Sequence, residues 1–263
     1  MDTYMSEVVS FPICQATTHR FRNVYIRNTV LLYVRRGSKR VDIEQGESVL
    51  AKSDDLLIFP SSTFLSIENR VISGSDYQAW GVAYPDDFVQ EVFSQPRSAH
   101  DDASPIHVQE CPAELASLLT DGGVSGGTTS IPEALQRHRL LEPLVWLKTL
   151  GVTLSIPLER PLHCQLRDIL NEDTAKKWKA KDVSSQLGYS EATFRRKLSG
   201  HNTTFSDILM SVRLERALTL LQSTEFPISY VAAECGFSSN SHLTSAFKNR
   251  FDISPSKIRK SED

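Results

Sequence analysis

Apolar positions change character along the chain. From Thr29 to about Tyr84 they come in short runs broken by polar turns. Val30-Leu31-Leu32-Tyr33-Val34 is β-branched and apolar, and Gly37 follows it. Lys39 to Ile43 alternates, with Val41 and Ile43 on one face and Arg40 and Asp42 on the other. Gln45-Gly46-Glu47 has hairpin-turn chemistry, and Val49-Leu50-Ala51 resumes the strand. Ser53-Asp54-Asp55 turns again before Leu56-Leu57-Ile58-Phe59-Pro60. Phe64, Leu65 to Ile67 and then Tyr77 to Tyr84 continue the pattern. Short strands at this spacing predict a small barrel or sandwich.

Helical signals take over after Tyr84. Asp86 to Phe93 and Glu114 to Leu119 predict short helices on either side of a loop from Ala99 to Val108. The glycine-rich run Asp121 to Gly127 predicts a break between helices. Pro132 suits the first position of a helix that ends at Gly151. That helix carries Leu135, Leu140, Leu141, Leu144, Val145, Leu147 and Leu150, which cover more than one face. It is therefore either packed deep against the strands or shared with a second chain. Val152 to Pro161, with two prolines, predicts a linker, and everything from Leu162 onward is helical with short loops.

The helical half contains an internal echo. Lys181-Asp182-Val183-Ser184-Ser185-Gln186-Leu187-Gly188-Tyr189-Ser190 is matched by Ser229-Tyr230-Val231-Ala232-Ala233-Glu234-Cys235-Gly236-Phe237-Ser238. Each is a short helix, then Gly-aromatic-Ser, then a second helix. Glycine permits a positive φ in the turn, and the serine behind it can cap the next helix. This is helix-turn-helix chemistry, twice, joined by a long amphipathic helix from Phe205 to Gln222.

Composition narrows the function. Of 263 residues 40% are apolar and 23% charged, which excludes fibrous and wholly disordered classes. The lack of an apolar run of about 18 residues predicts no membrane association, and the N-terminus predicts no secretory signal. Cys14, Cys111, Cys164 and Cys235 lack CxxC spacing and predict reduced thiols. The net charge of −3 conceals an asymmetry: residues 1–157 hold 13 basic and 19 acidic side chains, residues 158–263 hold 16 and 13, and residues 176–260 hold 14 and 7. An acidic module joined to a basic one predicts contact with a polyanion, or else a solvated basic face.

Residues from about Trp178 to Arg259 resemble the DNA-binding domain of the AraC/XylS family of bacterial transcription regulators. The resemblance rests on Ile228 to Glu234, Gly236-Phe237-Ser238-Ser239, Leu243, Phe247-Lys248 and Ile253-Ser254-Pro255 in the second motif. Leu187, Ser190, Phe194, Arg196, Leu198 and Phe205 carry it in the first, and Arg213-Leu214-Glu215-Arg216-Ala217 between them. Asp252 stands where the family usually has glycine, and Ser245 where many members have arginine. Residues 30–60 resemble the family's cupin-like N-terminal domain, with Asp54 in place of its usual glycine.

The resemblance implies an α+β protein. A cupin-like β-barrel with helices, for sensing or dimerisation, would occupy 1–157, and an all-α domain with two helix-turn-helix motifs would occupy 158–263. It implies a bacterial, cytoplasmic, nucleoid-associated activator of virulence or stress genes that binds double-stranded promoter DNA and RNA polymerase. No cofactor is expected. Several virulence-type relatives bind fatty acids, so a small apolar acid is the expected effector. Tyr33, Arg35, Lys39, Phe59 and Phe64 are the candidate effector residues, although the aromatics could equally be core and the cations hairpin surface.

Periodicity selects the DNA-facing positions independently. On a helix from Glu191, Phe194 and Leu198 face the core, and Ala192, Arg195, Arg196 and Ser199 face away. Arginine can pair bidentately with guanine, or it can hold only phosphate or an acidic neighbour. In the second motif Leu243, Phe247 and Phe251 make the core stripe, leaving Ser241, His242, Ser245, Lys248 and Asn249 outward. Asn240 either caps that helix or reaches an adenine edge. Lys179, Lys181, Ser190, Lys248 and Arg250 are phosphate candidates. Enzyme chemistry has little support, since the strand region holds no histidine between His19 and His100 and nucleophile or phosphate-loop motifs are missing. The competing reading is a ligand-binding barrel whose helical tail binds nucleic acid nonspecifically, or a protein partner.

Overall fold

The computed structural model describes residues 7–43, 47–97, 104–120 and 132–259. The chain divides into two compact units, Met1–Glu159 and Arg160–Asp263. The turn at Gln45-Gly46 and the break at Asp121 to Gly127 lie outside the described residues.

The first unit is built on two antiparallel sheets, and the expected barrel takes the form of this open pair. One sheet has the order β1 (Val9–Gln15), β8 (Tyr77–Tyr84), β3 (Thr29–Arg36), β6 (Leu56–Phe59), β10 (Ile106–Val108). The other has the order β2 (His19–Ile26), β7 (Thr63–Arg70), β4 (Ser38–Asp42), β5 (Ser48–Lys52). Alternation along the strands explains two cores. Leu32, Val34, Leu57 and Phe59 point between the sheets, with Val41, Ala51 and Leu65 of the second sheet. Leu31, Leu56 and Ile58 point the other way, against α1 (Asp86–Val92), α2 (Ala113–Thr120) and α3 (Glu133–Thr149). All four residues of β6 are buried because this strand is covered on both faces.

Several expectations are corrected. Strands β1 and β2 precede Thr29, where the pattern gives no strand. Pro12 interrupts β1, which tolerates it as an edge strand pairing only with β8. In β2 the register shifts between Phe21 and Val24, and Asn23 takes a φ of +53° there, so alternation fails. The loop read over Ala99 to Val108 ends in β10, paired with β6. The linker read over Val152 to Pro161 contains β11 (Ser155–Pro157), parallel to β9 (Gln95–Arg97), and a buried Leu154. Pro132 precedes the first helical residue of α3 rather than filling it.

In the second unit α4 (Leu162–Glu172), α5 (Ala180–Gln186), α6 (Glu191–Ser199) and α7 (Phe205–Ser223) enclose one core: Leu166, Ile169, Leu170, Val183, Phe194, Leu198, Ile208 and Val212. α8 (Ile228–Glu234) and α9 (Asn240–Phe251) follow, with Val231, Leu243, Phe247 and Phe251 buried. Helix α7 starts with a capping box: Thr204 Oγ1 accepts from the Asp207 N–H, and Asp207 accepts from the Thr204 N–H. It is central to the unit, packing on both α4 and α8.

Candidate nucleic-acid interface

The two motifs are closed by the same turn, bond for bond. In the first, Tyr189 N–H donates to Ser184 O at 2.8 Å and Gly188 N–H to Ser185 O at 3.1 Å. In the second, Phe237 N–H donates to Ala232 O at 2.8 Å and Gly236 N–H to Ala233 O at 3.0 Å. This is the Schellman pattern, which needs a left-handed residue after the helix. Gly188 and Gly236 supply it with φ of +75° and +71°. The aromatic residue then anchors the turn, Phe237 being buried and Tyr189 half-buried.

The motifs differ in where the next helix begins. Ser190 Oγ accepts from Thr193 N–H at 3.2 Å and caps α6. In the second motif the cap is Ser239, accepting from His242 N–H at 3.2 Å, not Ser238 or Asn240. Asn240 is the first helical residue, so its amide is exposed and not committed to capping. Ser238 Oγ instead meets His242 Nδ1 at 3.2 Å, and Phe237 packs edge-on against the His242 ring.

On α6 the exposed face holds Ala192, Arg195, Arg196 and Ser199, opposite buried Phe194 and Leu198. Arg195 pairs with Glu191 one turn back, at 2.7 Å. A surface pair of this kind contributes about 0.5 kcal/mol or less, so a stronger anion can displace it. Arg196 is exposed and, among the described residues, in no ion pair. On α9 Asn240, Ser241, Ser245, Lys248 and Asn249 are exposed opposite Leu243, Phe247 and Phe251. The Arg250 guanidinium lies over the Phe251 ring at 5.0 Å, which draws it toward the side of the helix. Lys179 and Lys181 are exposed at the start of α5.

Three lysines escaped the periodicity argument. Lys176 lies 3.9 Å from the Trp178 ring centroid, and Lys177 is exposed beside it. Lys197 sits over the Tyr189 ring at 5.3 Å. The basic run before α5 signals the first two, and the run Arg195-Arg196-Lys197 the third.

The five effector candidates do not converge. Tyr33 packs toward the helical side, donating to Asp54 Oδ1 at 2.6 Å, and burial with that carboxylate pushes its phenol up to about 12. Arg35 is exposed, and exposed Phe64 stacks against Tyr25 at 5.1 Å. Only Lys39 and Phe59 lie in the sandwich interior. Lys39 shares the inward face of β4 with Val41 and is 1% exposed. Its Nζ donates to Asn69 Oδ1 at 2.6 Å, Asn69 donates to Gln15 Oε1 at 2.8 Å, and the Tyr77 ring lies 5.5 Å away. Burial lowers the ammonium pKa to about 7.

Comparison with known proteins agrees with this geometry. Residues 183–261 match a helix-turn-helix domain family. The transcriptional regulator YdeO of Escherichia coli K12 is 35% identical over 96 residues, which span 36% of this chain but only 38% of YdeO. The transcriptional regulator SirC of Salmonella typhimurium is 24% identical across 97% of this chain and 92% of its own. ToxT of Vibrio cholerae, solved with an unsaturated fatty acid bound, superposes with a TM-score of 0.62 at 15% identity, covering 95% of this chain and 94% of that one. The likeness to ToxT establishes the fold of the whole chain. Its second half is similar to the helix-turn-helix domains of transcriptional regulators.

Proposed function

We propose that the chain is a sequence-specific DNA-binding regulator, acting as an activator, that lays α6 and α9 into successive major-groove segments of promoter DNA. The observation that carries this reading is the pair of identical Schellman turns, each presenting a helix with an exposed polar face and a buried apolar one. Two such helices on one chain can reach segments about 34 Å apart on one side of the duplex. Arg195, Arg196 and Ala192 suit base edges, as do Asn240, Ser241 and Ser245 on the second helix. Lys179, Lys181, Ser190, Lys248 and Arg250 suit phosphates. Ser190 Oγ accepts the Thr193 N–H and donates to Thr193 Oγ1 at 3.0 Å, so a phosphate takes its hydroxyl proton only by displacing that second bond.

The rest of the reading concerns control. The first unit senses a small apolar acid, such as a fatty acid, for which the fold shared with fatty-acid-bound ToxT and the buried Lys39 amine are the support. It dimerises through α3, whose Leu135, Val145 and Leu150 stay exposed while Leu144 and Leu147 fill the core. The regulator works in the bacterial cytoplasm, at the nucleoid, through contact with RNA polymerase, and without enzymatic activity. Footprinting of the intact chain over genomic fragments tests the central point. Discrete protection in two adjacent major-groove segments is expected, and uniform coverage of every fragment would favour the nonspecific alternative.

A further inference from the structure

The two helix-turn-helix motifs are joined by more than the length of α7. Arg213, near the middle of that helix, directs its guanidinium at backbone rather than at a carboxylate. Nε donates to Thr174 O at 3.0 Å and Nη2 to Lys176 O at 3.0 Å. Both carbonyls belong to the loop between α4 and α5, just before the basic run that opens the first motif. Thr174 is itself buried, and its Oγ1 donates to Glu234 O at 3.0 Å, at the end of α8. The turn of the second motif closes over the same spot. A methyl group on Gly236 would lie 2.8 Å from Arg213 Nη2 and 2.8 Å from Thr174 O. Gly188, the equivalent residue of the first motif, has nothing within 4 Å of that position. Gly236 is thus held by contact as well as by its φ, whereas Gly188 answers to φ alone.

We propose that Arg213, Thr174 and Gly236 form a clasp that fixes the second motif against the loop leading into the first. The clasp makes the domain selective for one spacing between its two half-sites. The inference rests on the reading of both motifs as groove-binding. The physical argument is one of stiffness. A guanidinium bidentate to two loop carbonyls, with a threonine bonded onward to α8, removes the freedom of one motif to slide or turn against the other. One base pair of extra spacing moves the second half-site about 3.4 Å along the axis and rotates it with the helix. A stiff pair cannot follow that shift, and a loosened pair can. These three are positioning residues and need not touch DNA.

The test uses the full chain and duplexes carrying the footprinted site with its native spacing, with one base pair added and with one removed, plus a single half-site. Wild type should lose about tenfold or more in affinity on either altered spacing, the scale of a mismatched contact. Thr174→Val keeps the side-chain shape, and Arg213→Lys keeps the charge but offers one donor group in place of a fork. Both should shrink the spacing penalty to roughly threefold or less while leaving single-half-site affinity within about twofold, since base contacts are untouched. Circular dichroism confirms the fold of each. Should Arg213→Lys unfold, Thr174→Val decides alone. Folded variants that keep the wild-type spacing penalty, or that weaken the half-site and every spacing equally, would overturn the clasp. A wild-type chain with no preference between site and random duplex would overturn the regulator reading and the clasp with it.

Discussion

At the scale of single residues, two departures from the family pattern are explained by backbone geometry. Asp54 and Asp252 stand where glycine is usual, and both adopt left-handed backbone, with φ of +71° and +58°. Asp252 ends α9 in that conformation, its N–H donating to Lys248 O at 2.8 Å. Aspartate is among the few residues with a side chain that enter this region at modest cost. The turn is therefore kept although the glycine is gone. Lys39 is the opposite case, because alternation puts it on the face of Val41 and Ile43, but a long cation at a strand end does not by itself read as buried. Its neighbours Arg40 and Asp42 do point outward, but Lys39 shares the buried face with Val41. Its pKa is lowered from 10.5 to about 7, so between those values the unfolded chain holds a proton that the native one lacks. Stability must then rise with pH across that window, and below about 7 the penalty is complete, on the order of several kcal/mol. Lys39→Met should raise the stability of the strand core at pH 7 and flatten its rise toward pH 9. Hydrogen exchange of β3 to β8 measures it, and parallel pH slopes for the two proteins would contradict the assignment.

One arginine and one lysine make a second residue-level distinction. Arg196→Ala should cost about 1–3 kcal/mol on the specific site and relax base preference at one position. Lys248→Ala should weaken specific and random DNA alike and lower the salt slope by about one unit. Titrations on both duplexes at several salt concentrations separate the two. Equal losses for Arg196→Ala on both would move that residue to phosphate contact.

At the scale of elements, legibility followed local information. The turn after each short helix depends on a glycine, an aromatic and a cap within a few residues, so both motifs could be read directly. The one-residue difference in the second, where Ser239 and not Ser238 is the cap, could not be, because two adjacent serines offer the same chemistry. Edge strands β1 and β2 carry Pro12 and a bulge, which hide alternation. Helix α3 is apolar on more than one face, and burial separates those faces. Leu144 and Leu147 are fully buried, whereas Leu135, Val145 and Leu150 are 55%, 48% and 41% exposed. Leu144→Glu would therefore unfold the first unit by burying an unpaired charge and cannot probe an interface. Val145→Glu is the informative change. Sedimentation at micromolar concentration should find the intact chain dimeric and Val145→Glu monomeric with the same circular dichroism. A folded mutant that remains dimeric would place the interface elsewhere.

For the whole molecule, the charge division coincides with the structural one. The acidic first unit carries strands, and the basic second unit carries both helix-turn-helix motifs. Charge asymmetry was visible in the counts, but the buried amine of the first unit was not, since it depends on register between strands far apart in sequence. The candidate DNA face was legible nearly residue by residue because a helix converts spacing into direction. The clasp was not, because Thr174, Arg213 and Gly236 meet only through tertiary packing. Among the described residues, no helix is long and apolar enough to cross a membrane.

The most direct measurement of the central claim is the affinity ratio of the intact chain for its footprinted site and for random duplex of equal length, taken at several salt concentrations. The account predicts specific binding tighter by about 10³-fold or more. It also predicts a log–log salt slope of several units from the lysines around α5 and α9. Equal affinity for both duplexes at every salt concentration would contradict it and leave only a basic surface that binds polyanions without reading them.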